Sequence, residues 1–206
     1  GALIGQWQEG EFRVLQEIPI VEADVVALIG LIEHSFPAVS IGLYAGKDWH
    51  VAQRNQWVEL EASITGEDPL VTDFETFLAQ KPIVHKFLLI GEEADIAQLL
   101  AFLQEQDFPE TSFYLSKANY LEITHQSVSK GHALALLADM QGLSMEGTLA
   151  FGDHFNDLSM LKAAGVGVAM GNAPQAVREA ADAVTADNHH NGVSLYLERV
   201  LLSEIR

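Results

Sequence analysis

The chain has 206 residues, 49% of them apolar, which is enough material for one large domain or two small ones. Its 29 acidic and 11 basic residues give a formal net charge of −18, so nucleic acid and anionic lipid surfaces are disfavoured as partners. There is no cysteine, which excludes disulfides and thiolate chemistry, and no apolar run approaches the roughly 18 residues that a membrane span needs. No signal peptide is visible, so we expect a cytoplasmic protein.

The first part of the chain predicts strands and helices without regular alternation. Residues 1–5 form a short apolar piece that ends in a turn, and the alternation over residues 11–18 predicts a strand. The other predicted elements are a helix over 22–36, a strand hairpin over 38–44 and 49–53, short helices over 58–65 and 73–78, a strand over 82–90, a helix over 92–106, and short strands over 112–115 and 120–124. This pattern indicates an α+β unit with hairpins.

After His125 the predicted elements alternate strictly. They are a helix over 130–140, a strand over 148–152, a helix over 157–164, a strand over 166–170, a helix over 174–181, a strand over 183–185 and a helix over 193–202. Alternation of this kind predicts a parallel sheet with right-handed crossovers.

The most informative stretch lies at residues 148–161. There an apolar strand is followed by Gly152 and Asp153, and Asn156 and Asp157 then open a helix. Asp153 is thus expected at the carboxyl end of a buried strand, where open α/β sheets bind ligands. Two carboxylates and an amide at such a place suit Mg²⁺, which prefers oxygen ligands. The alternative is a strand-to-helix turn with a polar cap.

Lys130 is the second informative residue, because it opens the helix that precedes this strand. A lysine in a first helical turn opposes the macrodipole at a cost of about 0.3–1 kcal/mol. That placement is explained if the ammonium and the free helix N–H groups face an anion together. The alternative is a solvated surface lysine.

Two further polar turns follow the next strands. Gly171–Pro174 should lie beside Asp153, so Asn172 either lines the site or serves ordinary turn chemistry. The adjacent His189 and His190 have no acid or cysteine at ligand spacing, which favours a solvated turn over a metal site. The other histidines, among them His85, are isolated in the sequence.

Several of these segments, in this order, resemble the haloacid dehalogenase superfamily hydrolases of the Cof type. The matching segments are Tyr120–Ile123, Lys130 within Ser-Lys-Gly, Phe151–Leu161, Gly165–Ala173, Ala180–Thr185 and Asn191–Val193. The resemblance implies an α/β fold with a Rossmann-like core, incomplete at its N-terminus, that comprises residues 1–17 and 126–206. An α+β cap domain is inserted over residues 18–125.

The resemblance also implies a Mg²⁺-dependent phosphatase of small phosphorylated metabolites such as sugar phosphates. Lys130 then neutralises the nucleophile and the transferring phosphoryl group, and Asn156 contacts the phosphate. Asp153 is a metal ligand, and Asp157 is the acidic residue that supports the metal shell, so it counts among both the catalytic and the metal-site residues. Gly152 and Asn172 are expected to line the site. Phosphoryl transfer depends mainly on such charge neutralisation and positioning.

The sequence departs from the family pattern in one respect. The family nucleophile belongs to an Asp-x-Asp segment, and this sequence contains no Asp-x-Asp. No aspartyl-phosphate can then form on this chain alone, which we expect to be inactive and to need the missing N-terminal segment of a longer enzyme. The alternative is a non-catalytic remnant. The phosphorylation domain of a cation-pumping ATPase has similar motifs but is disfavoured by the lack of membrane segments.

Overall fold

The computed structural model describes residues 1–204, with side chains described up to residue 200. The chain divides into two compact units, one formed by Ala2–Val128 and the other by Gly1 together with the residues from Ser129 onward. The predicted division instead grouped residues 2–17 with the C-terminal part. The assignment of these units to a family core and cap stays a prediction.

Residues 2–20 are joined to the rest of the first unit by one backbone hydrogen bond, from Ile20, and by the buried side chain of His85. Ile20 N donates to Val84 O at 2.8 Å. His85 is isolated in the sequence but buried in the structure, where its Nε2 lies 3.0 Å from Glu17 Oε2 and its Nδ1 accepts from Gly46 N–H at 3.2 Å.

The first two strands, β1 (Leu3–Gln8) and β2 (Glu11–Glu17), form an antiparallel hairpin that pairs with no other strand in the described residues. The predicted turn at residue 5 is wrong, because β1 continues through Gly5. The ring of Phe12 lies over Gly5, where a side chain would collide with it, and the register shifts between Ile4 and Gly5.

The rest of this unit is built on a six-stranded sheet of order β5-β4-β3-β6-β8-β7. All its neighbouring strands are antiparallel except β4 and β5. The elements are α1 (Glu22–Ser35), β3 (Ser40–Ala45), β4 (Asp48–Val51), α2 (Gln56–Thr65), β5 (Leu70–Val71), α3 (Phe74–Ala79), β6 (Val84–Ile90), α4 (Glu93–Gln104), β7 (Thr111–Lys117) and β8 (Tyr120–His125). The predicted hairpins and helices are confirmed, whereas β5 was not predicted.

Apolar side chains cover this sheet on both faces. On one face, Leu28 of α1 and Leu99 of α4 pack with Leu43, Phe87 and other strand residues in the largest core of the described chain. Helix α2 covers part of the opposite face, where smaller clusters contain Trp49, Val58 and Leu88. The amphipathic pattern of these helices follows from this burial.

The second unit is a parallel three-stranded sheet of order β11-β10-β9 with helices between its strands. Its elements are α5 (Lys130–Met140), β9 (Leu149–Gly152), α6 (Leu158–Ala163), β10 (Val166–Ala169), α7 (Gln175–Glu179), β11 (Ala183–Val184) and α8 (Gly192–Glu204). Leu161, Ala169, Ala173 and Val177 form its core cluster. The predicted alternation, the parallel sheet and the α/β class are confirmed.

Within residues 1–204, no helix combines the length and apolar character that crossing a membrane would require.

Candidate active site

The polar residues of the second unit converge at the carboxyl ends of β9 and β10. Because β9 and β10 are parallel neighbours with Gly152 paired to Ala169, the residues that follow each strand emerge at the same edge of the sheet. Asp153 follows β9, and Asn172 lies three residues after β10. The predicted proximity of these two residues is therefore observed.

Asp157 is the most buried acid of this edge, with 4% of its surface exposed. Its Oδ1 accepts from Lys130 Nζ in a short contact. Its Oδ2 accepts from the backbone N–H of Asp153 at 2.9 Å and of His154 at 3.1 Å. The carboxylate thus ties α5 to the turn that carries Asp153.

Burial by itself would raise the pKa of Asp157, since a low-dielectric environment disfavours the charged form. The hydrogen bond from Lys130 and the two backbone N–H groups act in the opposite direction and outweigh it. The net result is a pKa below the ordinary value of an aspartate, so the carboxylate stays charged beside Lys130.

Lys130 is the first residue of α5, and Ser129 caps this helix by accepting from His132 N–H at 3.0 Å. Helix α5 lies close to α6, because Gly131 N donates to Ser159 Oγ at 3.2 Å and a Cβ on Gly131 would lie 2.5 Å from Ser159 O. This close approach brings the lysine to Asp157 while 49% of its side chain stays exposed. The ion pair offsets the unfavourable position of a lysine at a helix N-terminus.

Asn172 bridges Asp153 and the loop after β11. Its Nδ2 donates to Asp153 Oδ2 at 3.0 Å, and its Oδ1 accepts from the backbone N–H of Asn188 at 3.1 Å. The loop contact was missed by sequence reasoning. The sequence predicts only a solvated turn there, and it does not show which neighbour that turn contacts.

Asn156, the predicted phosphate-contacting amide, lies in the short 3₁₀ turn Phe155–Asp157 and is half-buried. Its side chain takes no part in the hydrogen bonds found among residues 1–204, so the amide is available to a ligand.

The predicted turn at His189 and His190 is confirmed as an exposed 3₁₀ turn, Asn188–His190, capped by Asp187.

The donor set suits a magnesium ion only in part. No group of three His, Cys, Asp or Glu side chains in the described residues could by itself hold a metal. Asp153 is exposed and uses Oδ2 for Asn172, which leaves Oδ1 to face a cation, whereas both oxygens of Asp157 already accept hydrogen bonds. One carboxylate with waters and substrate phosphate is within the range of known magnesium sites.

Comparison with known proteins connects this geometry to a family. Residues 1–197 match the family model described as haloacid dehalogenase-like hydrolase. The chain is 40% identical over 169 residues to a putative phosphatase of Haemophilus influenzae, covering 82% of this chain and 62% of the relative. It is 47% identical over 77 residues to the pyridoxal phosphate phosphatase YbhA of Escherichia coli, covering 37% of this chain and 28% of the relative.

Among solved structures, a Thermotoga maritima protein superposes with a TM-score of 0.79 at 31% identity, covering 97% of this chain and 73% of that one. A haloacid dehalogenase-like hydrolase of Bacteroides thetaiotaomicron gives a TM-score of 0.78 at 30% identity, covering 91% and 70%. The chain spans less than two thirds of the length of the two curated relatives.

Proposed function

Since the chain belongs to the haloacid dehalogenase-like hydrolase family, we propose that it forms part of a Mg²⁺-dependent phosphatase of small phosphorylated metabolites, such as sugar phosphates. The observation that carries the proposal is the contact between Lys130 and the buried Asp157 beside the exposed Asp153. A paired cation and an exposed carboxylate at one edge of the sheet support this proposal, because phosphoryl transfer depends mainly on charge neutralisation and positioning.

Each residue has a distinct task in this proposal. Lys130 supplies positive charge to the phosphoryl oxygens, and Asp157 holds the ammonium in place. Asn156 donates its amide N–H to the phosphate, and Asp153 is the residue that would hold the metal. Bound Mg²⁺ would neutralise charge on the reacting oxygens. In a chain of net charge −18, this local positive charge is needed for an anionic substrate to bind.

The nucleophile is the part that this sequence does not supply. Because the family nucleophile sits in an Asp-x-Asp segment and no such segment occurs here, we infer that it comes from outside these 206 residues. The aspartyl-phosphate would then form on that segment, and the chain alone would not turn over. The non-catalytic remnant remains the second candidate, and the lack of Asp-x-Asp is the observation that favours it.

Hydrolysis of an aryl phosphate, with and without Mg²⁺, tests the proposal. We expect no turnover by the chain alone and Mg²⁺-dependent turnover when an Asp-x-Asp segment of the family is joined ahead of it. In that active form Lys130→Met should lower kcat about 100-fold or more, as loss of a preorganised charge does. Lys162→Met changes an exposed lysine of α6 and is the matched control. Turnover by the chain alone would contradict the inferred location of the nucleophile, and no turnover by the joined form would favour the remnant.

A further inference from the structure

Asn172 stands between two groups of fixed polarity, and this determines how its amide is oriented. The backbone N–H of Asn188 can only donate, so the Oδ1 end of the amide must face it. The NH₂ end therefore faces Asp153, where Nδ2 donates to Oδ2 at 3.0 Å. A flipped amide would place its NH₂ group against the Asn188 N–H, donor against donor, and its oxygen against Asp153 Oδ2, acceptor against acceptor.

The loop that presents Asn188 is itself fixed on the turn after β10. Gly171 N donates to Ala186 O at 3.2 Å, and a Cβ on Gly171 would lie 2.9 Å from Asp187 N. Asp187 Oδ1 accepts from the backbone N–H groups of His189 and His190 at 2.9 and 3.0 Å. The donor at Asn188 thus has a defined position.

We propose that Asn172 is a positioning residue for Asp153. Oriented by the Asn188 N–H, it holds Oδ2 of Asp153 and so turns Oδ1 toward a divalent cation. This inference rests on the proposed function, because it takes Asp153 to be the metal-binding carboxylate. Loss of a partner of this kind commonly lowers metal affinity 10- to 100-fold, and since both side chains are exposed we expect a loss of about tenfold.

The rotamer of Asp153 tests the positioning directly and without metal. Three-bond J couplings measured by NMR on the full chain should show one dominant χ1 rotamer of Asp153. In Asn172→Ala these couplings should take values averaged over several rotamers. The matched control is Gln175→Ala, because Gln175 Nε2 also donates to a carboxylate, Glu179 Oε1, at 2.6 Å but outside the site. An unchanged Asp153 rotamer in Asn172→Ala would overturn the proposal.

A second variant removes only the orienting donor. Asn188→Pro deletes the backbone N–H at the first position of the 3₁₀ turn, which tolerates proline. The preceding Asp187 has φ −74° and ψ 175°, the extended conformation that proline favours in its neighbour. We expect partial averaging of the Asp153 rotamer in Asn188→Pro and none in Asn188→Ala, which keeps the N–H. Equal couplings in both variants would contradict the orienting role of Asn188.

A titration with MgCl₂, followed by the backbone amide signals of residues 153 and 154, separates this inference from the proposed function. Asp153→Asn should abolish the Mg²⁺-dependent shifts, and Asn172→Ala should weaken Mg²⁺ binding about tenfold. If Asp153→Asn binds Mg²⁺ like the wild type, the proposed metal site fails. If only Asn172→Ala behaves like the wild type, the metal site stands and the positioning role fails.

Discussion

Gly152 has a hydrogen atom where the other amino acids have a Cβ. This allows the Asp157 carboxylate to reach its partners. An added Cβ would lie 2.5 Å from Asp157 Cβ and 3.0 Å from its Cγ. The carboxylate could then no longer accept from the N–H groups of Asp153 and His154 without a shift of the backbone. The glycine is needed here for close approach rather than for an unusual φ.

Gly152→Ala should therefore destabilise the chain by about 1–3 kcal/mol, the usual cost of overpacking a well-packed place. The free energy of unfolding in urea is the measurement. Gly147→Ala is the control, because no atom lies within 4 Å of its added Cβ, and its stability should stay near the wild-type value. Equal stabilities for the two variants would show that the Gly152 backbone can move without loss.

At the scale of the element, the six-stranded sheet carries tyrosines on the face that α2 covers in part. Register pairs Tyr44 with Lys86 and Tyr114 with Glu122, and Tyr120 donates to the buried Glu61 at 2.9 Å. Burial, reinforced by the neighbouring carboxylates, raises the pKa of Tyr44 and of Tyr120 to about 12. The folded sheet thus favours the neutral phenols.

This predicts a loss of stability in alkali. The pKa of Tyr120 lies at about 12 in the folded chain and near 10 when unfolded. The contribution of this residue to the free energy of unfolding is therefore complete below pH 10 and disappears as the pH rises toward 12. The expected contribution is up to about 3 kcal/mol. Urea unfolding at pH 9 to 12 should show a smaller pH dependence for Tyr120→Phe than for wild type. An unaltered slope in Tyr120→Phe would contradict the assignment.

At the scale of the whole molecule, the two units have separate apolar cores. The largest cluster contains Leu89 and other residues of Ala2–Val128, whereas Leu161 belongs to a cluster of the second unit. Small cores depend strongly on each member, because a lost side chain removes a large fraction of the buried area.

Leu161→Ala should cost about 2–5 kcal/mol, as other truncations of buried leucines do. Native-state hydrogen exchange should show faster exchange among residues 129–200 and unchanged protection in the six-stranded sheet. Leu89→Ala, also fully buried, should give the converse pattern. A uniform loss of protection in either variant would show that the cores unfold as one.

The sequence predicted those parts of the molecule that depend on short-range patterns. Apolar periodicity and caps were sufficient for the alternating elements after His125 and for the convergence of Lys130, Asp153 and Asp157. Strand β5 was too short for periodicity to reveal, with two residues. Two contacts were beyond the reach of short-range patterns. His85 and Glu17 are 68 residues apart in the sequence, and Asn188 and Asn172 are 16 apart, so only the three-dimensional pairing of strands and loops reveals these contacts.

The hydrogen bonds from Asn188 to Asn172 and from Asn172 to Asp153 connect the segments that follow three neighbouring strands, β11, β10 and β9. For protein engineering this makes the loop after β11 a poor place for insertions, although it is exposed. A residue added between Thr185 and Asn188 would displace the donor that Asn172 needs. Library design at this edge of the sheet should therefore vary the three segments together and keep the length of each one fixed.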